Sequence, residues 1–491
     1  MHMQWSRCLS CSLVTTLVLA GCAVGPSYQR PEVLAPQNWT AALADNRWPT
    51  LDWWTEFHDP ALDRLVNEAL ANNHNLSAAV ARVAEARAGV QVASAALYPS
   101  LDFDAQAGRQ QSSSNNTSNS SQATSGKNST GSATSNSQTS TVSNFFQLGL
   151  TASYELDLFG QNRDQALAAA AALKGSQFDR QTVALGVAAA VVSTYFELSA
   201  FDAQLKATRE DLDSARHTLD LIRAQNRAGM ATELQVAQQA SQVATIEASL
   251  PALVTQRTQA RNALAILLGR APENFDITPA AIGSIVPPTP PAGLPSALLE
   301  RRPDIASAEA ALEAANANVR AATAALFPSI DLTAQGGYSS VALSQLFNPY
   351  SAIFSLMGGL TAPLFEGGKL QGELASSKAR YQELAQNYQQ AVISAFGDVE
   401  NALVAQANTQ STLDAQHQAV VQADRAYRLA ESQYRQGTVD YLTVLDTERT
   451  WITARNAEVQ SQLARLAAAV SLYQALGGGW SEALVADTPQ R

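Results

Sequence analysis

Ala324-Ala325-Leu326-Phe327-Pro328-Ser329-Ile330-Asp331 is the stretch on which the fold turns. An alanine-rich helical pattern runs into Pro328, and strict alternation follows it. Proline lacks a backbone N–H and pushes the residue before it out of the α region, so a helix ends there. Beyond it Ile330, Leu332 and Ala334 alternate with Asp331, Thr333 and Gln335. A period of two belongs to a strand with one apolar and one polar face. A near copy, Ala95-Ala96-Leu97-Tyr98-Pro99-Ser100-Leu101-Asp102, stands 229 residues upstream. After it Leu101, Phe103, Ala105 and Ala107 alternate with Asp102, Asp104 and Gln106. The chain switches from helix to strand twice.

The repetition extends further. Arg227-Ala228-Gly229 matches Arg435-Gln436-Gly437 at an offset of 208. Leu234-Gln235-Val236 matches Leu442-Thr443-Val444, and Leu268-Gly269 matches Leu476-Gly477, at the same offset. Such self-similarity marks two copies of one unit of roughly 200 residues.

Each unit predicts a hairpin. In the first, a strand over about 100–108 is followed by residues 111–143, nearly all Ser, Thr, Asn, Gln and Gly. No packed core can be made of these, so they read as a solvated loop. Phe146, Leu148, Leu150, Ala152, Tyr154 and Leu156 then alternate with polar or small residues in a strand over about 145–157. The second hairpin has strands at about 329–339 and 353–362, with a shorter loop through Asn348-Pro349. Strands of about ten residues are the length of tilted transmembrane β-strands.

Each hairpin returns into a very long helix. Residues 162–226 and 369–434 contain no proline, and each such helix would span roughly 100 Å. Gly229 and Gly437 end them, and shorter helices return over about 232–268 and 439–476. Helices over about 75–97 and 304–326 precede the strands. A returning helix stacked on a pre-strand helix matches one long helix, which gives two antiparallel helical columns per half. Asp59-Pro60 opens the first helix, as N-cap and first helical residue. The expected division is 1–21 signal, 22–57 arm, 58–270 first repeat, 271–303 proline-rich linker, 304–480 second repeat and 481–491 tail. Trp39, Trp48, Trp53 and Trp54 read as packing rather than a ligand platform.

The N-terminus reads as a secretory signal, with Arg7 before a short apolar segment from Leu13 to Ala20. Leu19-Ala20-Gly21-Cys22 resembles a bacterial lipobox. That resemblance implies that Cys22 is the first mature residue and carries lipid. Cys8 and Cys11 fall in the removed segment, leaving no pair for a disulfide. Ala23 resembles the sorting pattern for the outer membrane.

Composition narrows the function. The net charge of −11, with only 15% charged residues, lacks the basic clusters that phosphate neutralisation needs, which argues against a nucleic-acid partner. No apolar run after the signal is expected to reach the length of a membrane-spanning helix. There is no Gly-x-Ser-x-Gly, no phosphate-binding glycine loop and no His-Glu-x-x-His, and the five histidines are scattered. No enzyme, metal site or cofactor is expected.

In lipid only helices and closed barrels satisfy every backbone group. Four strands per chain cannot close a membrane barrel, since bacterial barrels begin at about eight. Closure therefore needs more than one chain. Two would give eight strands and three would give twelve.

Residues in a particular order now carry a resemblance. They are Gly25-Pro26 with Tyr28 and Arg30-Pro31; Asp59-Pro60-Ala61-Leu62; Arg301-Arg302-Pro303-Asp304-Ile305; Phe327-Pro328-Ser329-Ile330; Tyr434 with Gly437; Tyr441-Leu442-Thr443-Val444-Leu445-Asp446; and Ala475-Leu476-Gly477-Gly478-Gly479-Trp480. Together they resemble an outer membrane factor of the TolC-like superfamily, NodT-type, the outer membrane lipoproteins of RND efflux systems. The resemblance implies an α+β membrane protein that forms a homotrimer. A twelve-stranded β-barrel would continue into a periplasmic α-helical barrel. It also implies a passive duct that docks on a periplasmic adaptor (membrane fusion) protein and an inner-membrane RND-type pump. A polypeptide-export duct of a type I secretion system and a non-conducting scaffold lipoprotein are the alternatives.

A duct must be shut at rest. Leu442 and Asp446 lie four residues apart on one helix face just past the Gly437 turn. By resemblance they match the family's aperture rings, one apolar and one acidic. In the first repeat the corresponding residues are Leu234 and Gln238, so the acidic ring would come from the second repeat alone. A solvated Asp446 paired with Arg449 or Arg435 is the plainer reading. Arg227, Glu233 and Arg435 are candidates for links that hold the aperture closed.

Overall fold

The computed structural model describes residues 24–33, 36, 39, 48–112, 141–288 and 295–480. The signal, Cys22, most of the polar 111–143 loop and the 481–491 tail lie outside the described residues. The described helices are α1 (Pro60–Asn72), α2 (His74–Ala95), α3 (Gln161–Arg227), α4 (Glu233–Leu267), α5 (Pro303–Ala324), α6 (Lys369–Arg435) and α7 (Tyr441–Ala475). The strands are β1 (Ser100–Ser112), β2 (Thr141–Leu156), β3 (Ser329–Ser340) and β4 (Ala352–Thr361). α3 and α6 have 67 residues each, and α4 and α7 have 35 each. The chain divides into two compact units.

The first unit holds residues 89–169 and 315–380 together with the arm up to Ser27. Its four strands form one antiparallel sheet in the order β1-β2-β3-β4. The register puts like residues in rows. Phe103, Leu150, Gly336 and Phe354 lie side by side, as do Leu101, Ala152, Ala334 and Leu356. Phe103, Leu150, Phe354 and Leu356 are all exposed. The opposite face is polar. Thr151 donates to Asp104 at 3.2 Å, and Gln335 lies beside both Thr151 and Ser355. A sheet with an exposed apolar face and a polar back suits a wall between lipid and water. At its foot Phe159 and Phe327 stack with centroids 4.8 Å apart. In the arm, Asn316 donates to the Pro26 carbonyl at 3.4 Å. Gly25 (φ +125°) lies against Arg320, whose guanidinium pairs with the buried Asp164 at 2.5 Å.

The second unit holds residues 28–88, 170–314 and 381 onward. Its main core gathers Trp53, Trp54 and Phe57 with Leu62, Leu65 and Val66 of α1, Val191 to Leu198 of α3, Leu264 of α4 and Tyr473 of α7. Trp53 stacks on Tyr473 at 4.9 Å, so these tryptophans pack the core. Asp59 caps α1, accepting from the amide of Ala61 at 2.9 Å, and also accepts from the Tyr195 hydroxyl at 2.6 Å. Arg30 pairs with Glu309 through both carboxylate oxygens, and Tyr28 donates to the same carboxylate at 3.2 Å. The sequence expectation for apolar runs needs a correction here. An 18-residue window of α3 reaches a mean hydropathy of 1.6, enough by length and composition to cross a membrane. Val191, Val192, Tyr195, Phe196 and Leu198 of α3 are instead fully buried in this core.

Candidate aperture at the helix turns

Two turns join the long helices to the returning ones. Past α3, Gly229 takes φ +74°, its amide donates to the Asn226 carbonyl at 2.9 Å, and Met230 donates to Gln225 at 2.8 Å. Past α6, Gly437 takes φ +73°, donates to Tyr434 at 2.9 Å, and Thr438 donates to Gln433 at 3.0 Å. This pair of bonds closes a helix end, and the left-handed residue it requires is cheapest as glycine. The returning helices begin with strong caps. Thr232 and Gln235 bond reciprocally at the start of α4. Asp440 caps α7, accepting from the Thr443 hydroxyl at 2.6 Å and amide at 2.9 Å. Those bonds hold the Asp440 carboxyl below its usual range.

The first turns of α7 then divide by side. Tyr441, Val444, Leu445 and Glu448 are buried. Leu442 and Asp446 point the other way, both exposed, Leu442 at 54%. The buried side is laced by polar contacts between helices. The Tyr441 hydroxyl donates to Gln239 Oε1 at 2.6 Å, and Gln239 Nε2 donates to the Ala215 carbonyl at 2.8 Å. These two bonds tie α7 to α4 and α4 to α3. Arg449 donates to Gln242 at 2.7 Å, and Arg455 pairs with Asp211 of α3 at 2.8 Å. Trp451 stacks on Tyr427 of α6 at 5.5 Å, with the Arg455 guanidinium 4.7 Å over its ring. Among these groups lies Glu448, 6% exposed. Burial pushes its carboxyl up to about 7, and the charges of Asp211 and Glu431 add to that against Arg449.

The structure separates the sequence candidates. Asp446 pairs with neither Arg449 nor Arg435, because Arg449 is bound to Gln242 and Arg435 to Glu431 one turn back on α6. Arg227 and Glu233 flank the Gly229 turn, both exposed and without an ion pair among the described residues. Within one chain, none of Arg227, Glu233 and Arg435 links two helices. Links that do include Tyr441–Gln239, Arg449–Gln242, Arg455–Asp211 and Gln235–Tyr434, none of which the sequence singles out. Their signal is weak, since the chain is rich in Gln at exposed and buried positions alike. No group of acidic, histidine or cysteine side chains suited to a metal occurs among the described residues.

The profile of one protein family, outer membrane efflux protein, matches residues 65–270 and again 294–478, the two halves of the repeat. The chain belongs to the outer membrane efflux protein family. Its relatives agree with it end to end. The pyoverdine export outer membrane protein OpmQ of Pseudomonas aeruginosa is 39% identical, with 96% of each chain covered. The cation efflux system protein CusC of Escherichia coli is 32% identical over 97% of this chain and 100% of its own. Among solved structures, the outer-membrane channel OprN superposes with a TM-score of 0.84 at 29% identity, covering 94% of this chain and 100% of that one. As an outer membrane efflux protein the chain is the outer membrane channel of an efflux pump and catalyses no reaction. The exposed pair on α7 is therefore a feature of a conduit.

Proposed function

We propose that three copies of this chain close one twelve-stranded barrel, and that Leu442 and Asp446 ring the periplasmic end of the conduit. One observation carries the aperture. Leu442 and Asp446 are exposed on the side of α7 opposite its buried contacts, and Asp446 has no ion pair among the described residues. Threefold repetition turns the pair into an apolar ring beside an acidic one. Crowded carboxylates attract cations. Arg227 and Glu233, exposed and without an ion pair among the described residues, stand at the Gly229 turn facing outward to a neighbouring copy, and Arg435, paired with Glu431, stands at the Gly437 turn. The open edges of the sheet at β1 and β4 support closure between copies, because unpaired edges are untenable in lipid.

Cys22 carries the lipid. The seating of Pro26 and Gly25 on the last turns of α5, just before β3, supports an anchor at the foot of the sheet. The periplasmic end docks on an adaptor protein and an RND-type pump that supplies the energy. The relatives' names range over pyoverdine, toluene and cations, which supports a duct that selects little and leaves choice to the pump.

A strain lacking the chain tests this reading. It accumulates a fluorescent efflux substrate, and wild type restores extrusion. Loss of a secreted polypeptide with unchanged dye extrusion would favour the type I export duct. Labelling with radioactive palmitate tags wild type and not Cys22→Ser. Equal labelling would remove the anchor.

A further inference from the structure

The two hairpins are numerical copies of one another. Adding 229 to β1 positions and 208 to β2 positions converts the first register into the second. Ser100 opposite Ser153 becomes Ser329 opposite Thr361, and Leu101 opposite Ala152 becomes Ile330 opposite Leu360. The 208 offset continues past the strands. Gly160 and Gly368 have φ +86° and +87°, and α3 and α6 end at Arg227 and Arg435. The repeat is thus geometric as well as textual.

The β2–β3 seam is where the first hairpin meets the second inside one chain. Its register runs from Phe146 opposite Ser340 to Leu156 opposite Ile330. If copies of this chain close the barrel, as proposed above, β4 of one copy must meet β1 of the next. The same two kinds of strand then meet again, after the same hairpin, against the same long helix.

We infer that the closing seam between copies repeats the internal seam residue for residue, so that Leu360 lies opposite Ala105 of the next copy. Ala152 opposite Ala334 maps to that pair, and Leu150 opposite Gly336 maps to Gly358 opposite Ala107 of the next copy. The mapping keeps the faces consistent. Leu356, Gly358 and Leu360 lie on the apolar face of β4, and Ala105 and Ala107 share the face of Phe103 on β1. A slip of one residue would turn that face inward; a slip of two would keep it, so only register distinguishes the alternatives. Both edges are free to receive a partner. β4 is exposed along its whole length, and Leu101 and Phe103 of β1 are 68% and 65% exposed. At the foot the two edges are likewise uncovered. Phe327 of the internal seam is stacked and 37% exposed, whereas its counterpart Tyr98 is 70% exposed and Phe365, near the end of β4, is 89% exposed. Under this mapping Phe159 becomes Gly367, so the aromatic stack itself is not repeated, and Phe365 stands two residues from the level of Tyr98 of the next copy.

Paired cysteines read the register directly. The full-length chain is assembled in outer membranes with Leu360→Cys and Ala105→Cys, or with Gly358→Cys and Ala107→Cys, then oxidised and run denatured without reductant. Single-cysteine chains control for Cys22. Opposed Cβ atoms lie within disulfide reach, whereas a diagonal neighbour two residues on does not. The mapped pairs should give covalent oligomers about tenfold more than Leu360→Cys with Phe103→Cys or with Ala107→Cys. Dominant linkage in either shifted pair, with native sizing still showing an oligomer, would overturn the register and leave closure standing. A chain that stays monomeric by native sizing, wild type included, would overturn closure and the seam together.

Discussion

Glu448 is a single residue with a measurable consequence. Its carboxyl is buried beside Asp211 and Glu431, and its folded-state value of about 7 stands above the ordinary 4.5. Between those values the folded protein holds a proton that the unfolded chain has released. Stability contributed at this residue is therefore full below about 4.5, declines as pH rises towards 7, and stays low above it. The shift corresponds to about 3 kcal/mol. Glu448→Gln should raise the melting temperature near pH 8, and do so far less near pH 5. An equal gain at both would show that its charge is not the cause. The Tyr441 hydroxyl is the complementary case. Tyr441→Phe leaves the buried Gln239 oxygen unpaired and should cost about 1–3 kcal/mol in thermal or denaturant unfolding. No measurable loss would mean that water replaces the bond. Neither residue was legible in the sequence. Glu448 follows Leu445 by three positions on a helix whose five other charged residues all escape full burial, and only packing against neighbouring helices hides it.

The elements themselves were largely legible, because proline, glycine and alternation are local signals. Pro99 and Pro328 stop helices before strands, and Gly229, Gly269, Gly437 and Gly477 end helices in left-handed conformations. What local pattern could not give was how far a ladder runs. β1 was expected to stop near 108, yet it continues through Arg109-Gln110-Gln111 to Ser112 because β2 offers partners as far as Thr141. Pairing with a neighbour's backbone extends the strand where its own side chains no longer alternate. The four helix-ending glycines also separate conformation from crowding. Gly437 (φ +73°) faces open space, whereas a Cβ on Gly477 (φ +81°) would strike the Arg301 carbonyl. Gly437→Ala should cost about 1 kcal/mol from backbone strain alone. Gly477→Ala should cost about 3 kcal/mol or more, since backbone must also shift. Equal melting temperatures for the two variants would show that the loop after α7 yields freely.

At the scale of the whole molecule, one chain leaves surfaces uncovered. Its sheet has two open edges and an exposed apolar face, and Leu442 and Asp446 are exposed on the side of α7 away from its buried contacts. The four strands were legible, and in lipid the two open edges they leave call for closure by further copies, as proposed above. The number of copies was not, because closure constrains strand count only loosely. The exposed pair of Leu442 and Asp446 on one side of α7 was legible from its spacing. Its freedom from Arg449 and Arg435 was not, since the engagement of those arginines by Gln242 and Glu431 is settled only in three dimensions. Current through the purified protein in a planar bilayer, wild type beside Asp446→Ala, tests the central claim most directly. The account predicts a small, cation-selective current in wild type, and a current several-fold larger and less cation-selective in Asp446→Ala. The same current and selectivity in both proteins would contradict an acidic ring at the aperture.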